Sequence, residues 1–165
     1  MSSDPVGGPI FLLFLLILLY GRLSGAEAAV HALNEARLRR EAEAEDERAK
    51  RLLPLAEAPE EVLSALQICI TFTALLCGAL GAVVFAPLLA EALPDSFLTA
   101  AWRSALSAVI VILALGLIML VLAVALPRRL AERDPERVAS RRLKRLRWLA
   151  SFLRPLVRAM DALSQ

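Results

Sequence analysis

The sequence predicts an all-α integral membrane protein. It has three transmembrane helices, a cytoplasmic helical hairpin between the first and second, and a C-terminal amphipathic juxtamembrane helix. Three apolar blocks without charge, residues 6–20, 62–90 and 104–127, hold 15, 29 and 24 residues. About 20 helical residues cross a bilayer. Hydrophobic residues make up 58% of the chain, and most charged residues lie between and after the blocks. The chain is therefore predicted to be embedded in a lipid bilayer.

The first span is predicted over about residues 9–29. Its charge-free block is too short alone for a hydrocarbon core of about 30 Å, so the helix must continue through Arg22 to the neighbourhood of Glu27. The alternative is a secretory signal peptide, because small residues follow the block. A signal peptide has positive charge before its apolar region, and here the N-terminal residues offer only Asp4, which favours a span.

The segment between the first two spans has helical composition. Residues 26–53 are rich in Ala, Glu, Arg and Leu and contain neither Gly nor Pro, so helix is predicted as far as Pro54 and Pro59. The acidic run over residues 41–47 is interpreted as a solvated helix face or turn rather than a ligand site.

The second and third spans are predicted over about residues 62–90 and 104–127. Small residues recur at four-residue spacing along one face of the second span: Ala74, Gly78, Ala82 and Ala86. Such a small-residue stripe lets another backbone approach closely. It predicts packing against another span or against a second copy of the chain.

An amphipathic juxtamembrane helix is predicted over about residues 136–163. Apolar residues recur there at three- and four-residue steps with basic residues opposite, a pattern typical of a helix lying in the headgroup plane. The apolar positions are Leu143, Leu146, Ala150, Leu153, Val157 and Met160. Because this basic segment directly follows a span, the pattern favours lipid over nucleic acid as its partner.

The distribution of Lys and Arg predicts the orientation. Residues 1–9 contain none and residues 91–103 contain only Arg103, whereas residues 22–61 carry 7 and residues 128–165 carry 11. Basic residues accumulate on the cytoplasmic side. We therefore expect a multi-pass protein of the inner (plasma) membrane with its N-terminus outside and its C-terminus in the cytoplasm.

Four short motifs resemble the CNNM/CorC (hemolysin-C-like) transmembrane domain. Residues 23–30 are similar to its F-S-x-x-E-T-A-L start, and residues 66–71 (LQICIT) to its L-Q-I-G-I-T motif. Residues 126–131 (LPRRLA) and 134–139 (DPERVA) are similar to its V-P-K-R-L-A and N-P-E-R-V-A exit. The resemblance implies one domain over residues 1–165, a homodimer, and a link to magnesium transport or efflux.

Four polar side chains are candidate metal ligands. Ser24 and Glu27 fall in the cytoplasmic third of the first span, and Gln67 and Thr71 enter the same layer from the start of the second. Each pair lies about one helical turn apart on one face. Their oxygens suit a hard cation such as Mg²⁺, as transported or bound ion. The alternative is that they only hydrogen-bond between helices.

Two departures from the family pattern predict a weakened or inactive ion site. Val124 stands where the family has Glu, and Arg22 occupies a usually aromatic position and brings positive charge close to Glu27. The alternative function is therefore a transport-inactive structural or regulatory membrane protein that acts through dimer or partner contacts.

An enzyme is not expected, since the sequence shows no phosphate-binding loop, His cluster or nucleophile constellation. Family members usually continue into paired nucleotide-sensing CBS domains, whereas this sequence ends at Gln165. We expect either a membrane-only member or a piece of a longer chain, with a CBS-domain partner chain as a possible source of regulation.

Overall fold

A computed structural model describes residues 7–93, 99–125, 129, 133–141, 148 and 151, without the side chains of residues 122–124. Its helices are α1 (Gly7–His31), α2 (Glu35–Glu43), α3 (Glu47–Glu57), α4 (Glu60–Ala92) and α5 (Ala100–Ile118), and α5 continues as a π-helix over Met119–Ala125. The described residues contain no strand. Three helices are long and apolar enough to cross a membrane: Gly7–His31, Glu60–Ala92 and Ala100–Val121. The predicted all-α fold with three spans is confirmed.

The chain forms two compact units. The first, here called the membrane unit, comprises residues 1–21 and 71–125, and the second, the hairpin unit, comprises residues 22–70 and 126–165. Helices α1 and α4 each contribute residues to both units.

The membrane unit has a small apolar core. Buried Leu13, Cys77 and Met119 form its centre, and partly buried apolar side chains pack around them: Leu16, Ile17, Tyr20, Leu80, Phe85 and Leu115. Large side chains such as Phe11, 63% exposed, point away from this core. Only 17–28% of each candidate span is buried within the chain. The remaining apolar surface is suited to lipid or to another membrane helix.

Gly81 of α4 is buried against α5. A Cβ atom at this glycine would overlap Leu115 Cδ1 and would lie 4.0 Å from Val111 Cγ1. A side chain at position 81 would therefore displace Leu115, so the glycine permits the packing of α5 on α4.

The hairpin unit contains a capped helical hairpin, α2 and α3. Asn34 caps α2, since its Oδ1 accepts from the Arg37 N–H at 3.0 Å. Asp46 caps α3 by accepting from the N–H groups of Arg48 (2.7 Å) and Ala49 (3.3 Å). Glu45 has a φ of 68° in the tight turn between the two helices. Buried apolar side chains of the two helices supply its core: Leu38, Ala49, Leu52 and Leu55.

The helical segment predicted over residues 26–53 is divided into three helices. The two caps explain the division, because Asn34 and Asp46 each start a new helix. Helix α3 continues through Pro54 and ends at Glu57, between the two prolines near which the helical segment was predicted to end. A proline in the last turn removes only one hydrogen bond near a helix end.

Residues 135–141 are helical and begin at an Asp-Pro pair. Asp134 Oδ1 accepts from the Arg137 N–H at 3.2 Å, and Pro135 occupies the first helical position. Most of the juxtamembrane helix predicted over residues 136–163, including its six apolar positions, lies outside the described residues. So do residues 1–6, residues 94–98, and residues 126 and 127 of the third predicted span.

Candidate functional site

The cytoplasmic end predicted for the first span is closely packed because its residues are small. Residues Gly21, Ser24, Gly25, Ala26, Ala28, Ala29 and Val30 are all buried. Ser24 is 4% exposed, whereas Glu27 is half-buried and His31 is exposed. The end of α1 therefore holds a buried hydroxyl and, three residues later, a carboxylate that retains an open side.

Gln67 and Thr71 lie on the exposed side of α4. A buried seam runs along this helix through Val62, Ala65, Leu66 and Ile70. Gln67 and Thr71 each follow a seam residue by one position, about 100° further round the helix, and both are exposed. The two side chains are one turn apart and share a face, as the sequence predicted.

The four predicted ligands differ in burial and in the compact unit to which they belong. Ser24, Glu27 and Gln67 belong to the hairpin unit, and Thr71 is the first residue of α4 in the membrane unit. Within the described residues no group of three or more His, Cys, Asp or Glu side chains is arranged to hold a metal. Glu27 is the one acidic member of the set, so hydroxyl and amide oxygens would have to supply the remaining coordination.

The two family departures lie in different helices. Arg22 is exposed at the start of the packed end of α1. The backbone of Val124 belongs to the π-helix Met119–Ala125. No sequence pattern predicted this π-helix, although π-helical turns occur frequently at functional sites.

A cavity of about 170 Å³ lies within the membrane unit, beside the small-residue stripe. Ala74 and Gly78 form one wall, and the other lining residues come from α1, α5 and the π-helix: Tyr20, Ile112, Leu115, Gly116, Met119 and Leu120. A Cβ atom at Gly78 would meet no described atom within 4 Å. The close glycine contact inside the chain is at Gly81 instead, a position that the four-residue spacing missed.

The fold and these sites define a three-span helical membrane protein with a capped hairpin between its first two spans. Comparison with known proteins gives the particular family. A model described as the cyclin M transmembrane N-terminal domain matches residues 11–165. The chain is 35% identical over 157 residues to UPF0053 protein sll0260 of Synechocystis sp.. The matched region covers 95% of this chain and 35% of that protein. The protein belongs to the CNNM family, so the predicted resemblance is confirmed, and it spans about a third of this relative's length.

Proposed function

We propose that this chain is the membrane domain of a divalent cation transport or efflux protein, with Mg²⁺ as the transported ion. The family supports the class of protein, and Glu27 supports the location of the site. An ionisable side chain inside a membrane span is costly and is usually retained for ion pathways or proton relays. Orientation follows the basic residues, with the N-terminus outside and the C-terminus in the cytoplasm of the plasma membrane.

The observation that carries this proposal is that half-buried Glu27 follows buried Ser24 by three residues on α1. Mg²⁺ gives up its water reluctantly and binds through one or two carboxylates with other oxygens and retained waters. Glu27 supplies the charge, and Ser24 and Gln67 of the same unit supply neutral oxygens or hydrogen bonds to the waters of the ion.

We propose a homodimer as the functional state. Only 17–28% of the most apolar part of each candidate span is buried within one chain. The remaining apolar surface is suited to another membrane helix, and a second copy supplies one. A CBS-domain chain is the partner proposed for regulation.

The site is proposed to bind weakly. Val124 replaces the acidic residue of the family pattern, and Arg22 adds a positive charge at the end of α1 that carries Glu27. Each change lowers the electrostatic return for dehydrating a divalent ion. These two residues also favour the second candidate function, a transport-inactive regulatory membrane protein. Neither candidate function is enzymatic.

Magnesium flux into proteoliposomes tests the proposal. Glu27→Gln removes the carboxylate and keeps the side-chain shape, and we expect it to reduce the flux at least about tenfold, which corresponds to about 1.4 kcal/mol of lost interaction with the ion. Glu57→Gln is the matched control, because Glu57 lies in the hairpin and pairs with Arg39 at 3.0 Å. Equal flux for the unmodified protein, Glu27→Gln and empty liposomes would support the regulatory candidate instead.

A further inference from the structure

Residues 133–141 contact the hairpin and the end of α1 at three points within the hairpin unit. Arg37 Nη1 lies 3.6 Å from Glu136 Oε1, and Arg48 Nη2 lies 3.9 Å from Asp134 Oδ1. Val138 packs against buried Ala28 and Ala29 of α1. We call these three contacts the exit clamp, because they hold the segment that follows the third span.

The local structure of residues 133–141 presents these side chains together. Asp134 caps the helical turn, which fixes the direction in which the turn starts. Glu136 and Ala139 lie one turn apart on the same, buried face of this helical segment. The side chain of Glu136 is 16% exposed, and Ala139 is 1% exposed. The turn therefore has a definite inner face, and the clamp is not a chance meeting of long surface side chains.

The three contacts differ in strength. Both ion pairs are longer than hydrogen bonds, and their arginines are 64% and 46% exposed, so each pair is weak and is screened by salt. The hydrogen bond from Arg37 to Glu41, and then the nearby Glu136, raise the pKa of the Arg37 guanidinium, which stays charged at physiological pH. The apolar contact of Val138 provides the part that salt does not weaken. Such a clamp can open without unfolding the hairpin.

The clamp acts on the part of α1 that carries the proposed site. Ala28 lies one turn beyond Ser24 on the same face, and it directly follows Glu27. We propose that the exit clamp positions the end of α1, so that a displacement of residues 133–141 shifts Ser24 and Glu27. Asp134, Glu136 and Val138 are then positioning residues, and their effect on a cation rests on the proposed function.

Amide hydrogen exchange of the full chain in detergent tests the clamp without any cation. The variant Glu136→Gln with Val138→Ala removes one ion pair and part of the apolar contact. We expect the amides of residues 24–31 to exchange at least about fivefold faster, the factor that corresponds to about 1 kcal/mol of lost local stability. Exchange in α3 and in the membrane unit should not change. Glu57→Gln is the matched control, since it breaks the pair with Arg39 inside the hairpin only.

Variants of Arg37 test how much its charge contributes to the exit clamp. Arg37→Lys keeps the positive charge and should leave exchange at residues 24–31 within about twofold of the unmodified protein, whereas Arg37→Gln should raise it and should add nothing to Glu136→Gln. The proposal is overturned if residues 133–141 exchange faster while residues 24–31 do not, if Glu57→Gln acts equally, or if exchange rises throughout the chain.

A second measurement separates this inference from the proposed function. The same exchange is followed with and without Mg²⁺ in the unmodified protein and in Glu136→Gln with Val138→Ala. Mg²⁺ protection of residues 24–31 that is weaker in the variant supports both statements. A variant effect without any Mg²⁺ effect, even at concentrations well above the millimolar range where a weak site fills, keeps the clamp and contradicts the proposed site. Mg²⁺ protection that is equal in both proteins contradicts the clamp alone.

Discussion

The membrane unit and the hairpin unit share helices α1 and α4 but are stabilised differently. In the membrane unit the described core is small, and large side chains such as Leu113, 67% exposed, cover the surface. In the hairpin unit the buried residues are small residues of α1, apolar residues of the capped hairpin, and a seam along the first part of α4. The first unit exposes a largely apolar surface, and the second carries charged side chains and ion pairs on the surface of its hairpin.

The change of character occurs within single helices. α1 is apolar and largely exposed up to Leu19, and it becomes buried and small from Gly21 onward. A helix that exposes leucines to lipid can pack tightly at its other end when alanine, glycine and serine replace them. Glu27 lies in this second part and is half-buried.

The largest expected effect concerns orientation, because Thr99 is predicted to lie outside the membrane and Ala44 in the cytoplasm. Single cysteines at Thr99 and Ala44, both exposed, are introduced into a protein lacking Cys69 and Cys77. Thr99→Cys should react with an impermeant thiol reagent on intact cells, and Ala44→Cys only after permeabilisation, because the basic hairpin is predicted to be cytoplasmic. The reverse pattern would refute the orientation.

The second prediction compares one leucine from each unit. Leu52 is fully buried in the hairpin core, so Leu52→Ala should cost about 2–5 kcal/mol and lower the thermal unfolding midpoint of the full chain by about 4–20 °C. Leu76 is 56% exposed in a span, so Leu76→Ala should change stability by less than about 0.5 kcal/mol. Thermal unfolding in detergent measures both. A larger loss for Leu76→Ala would show that its face packs against protein.

The third prediction compares two glycines of α4. Gly81→Leu forces a side chain into Leu115 and should cost about 1–3 kcal/mol in thermal unfolding, with partial recovery in Gly81→Leu combined with Leu115→Ala. A Cβ atom at Gly78 would meet no described atom within 4 Å, and Gly78 lines the cavity, so we expect Gly78→Leu to retain the stability of the single chain.

Oligomer size distinguishes the two glycines further. If the stripe of Ala74, Gly78, Ala82 and Ala86 packs against a second copy, Gly78→Leu lowers the dimer fraction in detergent. Unchanged oligomer size for Gly78→Leu would mean that this stripe does not pack against a second copy.

Much of the fold was predictable because bilayer thickness constrains it so strongly. Residues 62–90 had few alternatives to a span, and helical composition between the spans indicated the hairpin. The hairpin turn at Glu45 was hidden by an acidic run that suits helix and turn equally. Asp134 followed by Pro135 is a helix-start signal, and the helix predicted from about residue 136 begins one residue earlier, at Pro135.

The candidate site was less predictable than the fold. Sequence spacing placed Gln67 and Thr71 on one face of α4, but it did not show that this face lies beside the buried seam rather than on it. The contact of Glu136 with Arg37 joins residues that are distant in the sequence, and the charge pattern alone does not select this pair among the many acids and arginines.

We propose that a cation site at Glu27 persists but is weakened by Arg22 and Val124. Thermal unfolding across a Mg²⁺ titration tests it with the unmodified protein, Glu27→Gln, and Arg22→Phe combined with Val124→Glu. Ligand stabilisation follows RT ln(1 + [L]/Kd), so concentrations near and tenfold above Kd give about 0.4 and 1.4 kcal/mol. We predict little stabilisation of the unmodified protein by millimolar Mg²⁺ and a clear rise in the double variant. Strong stabilisation of the unmodified protein that Glu27→Gln abolishes, or no response in the double variant, would contradict the claim.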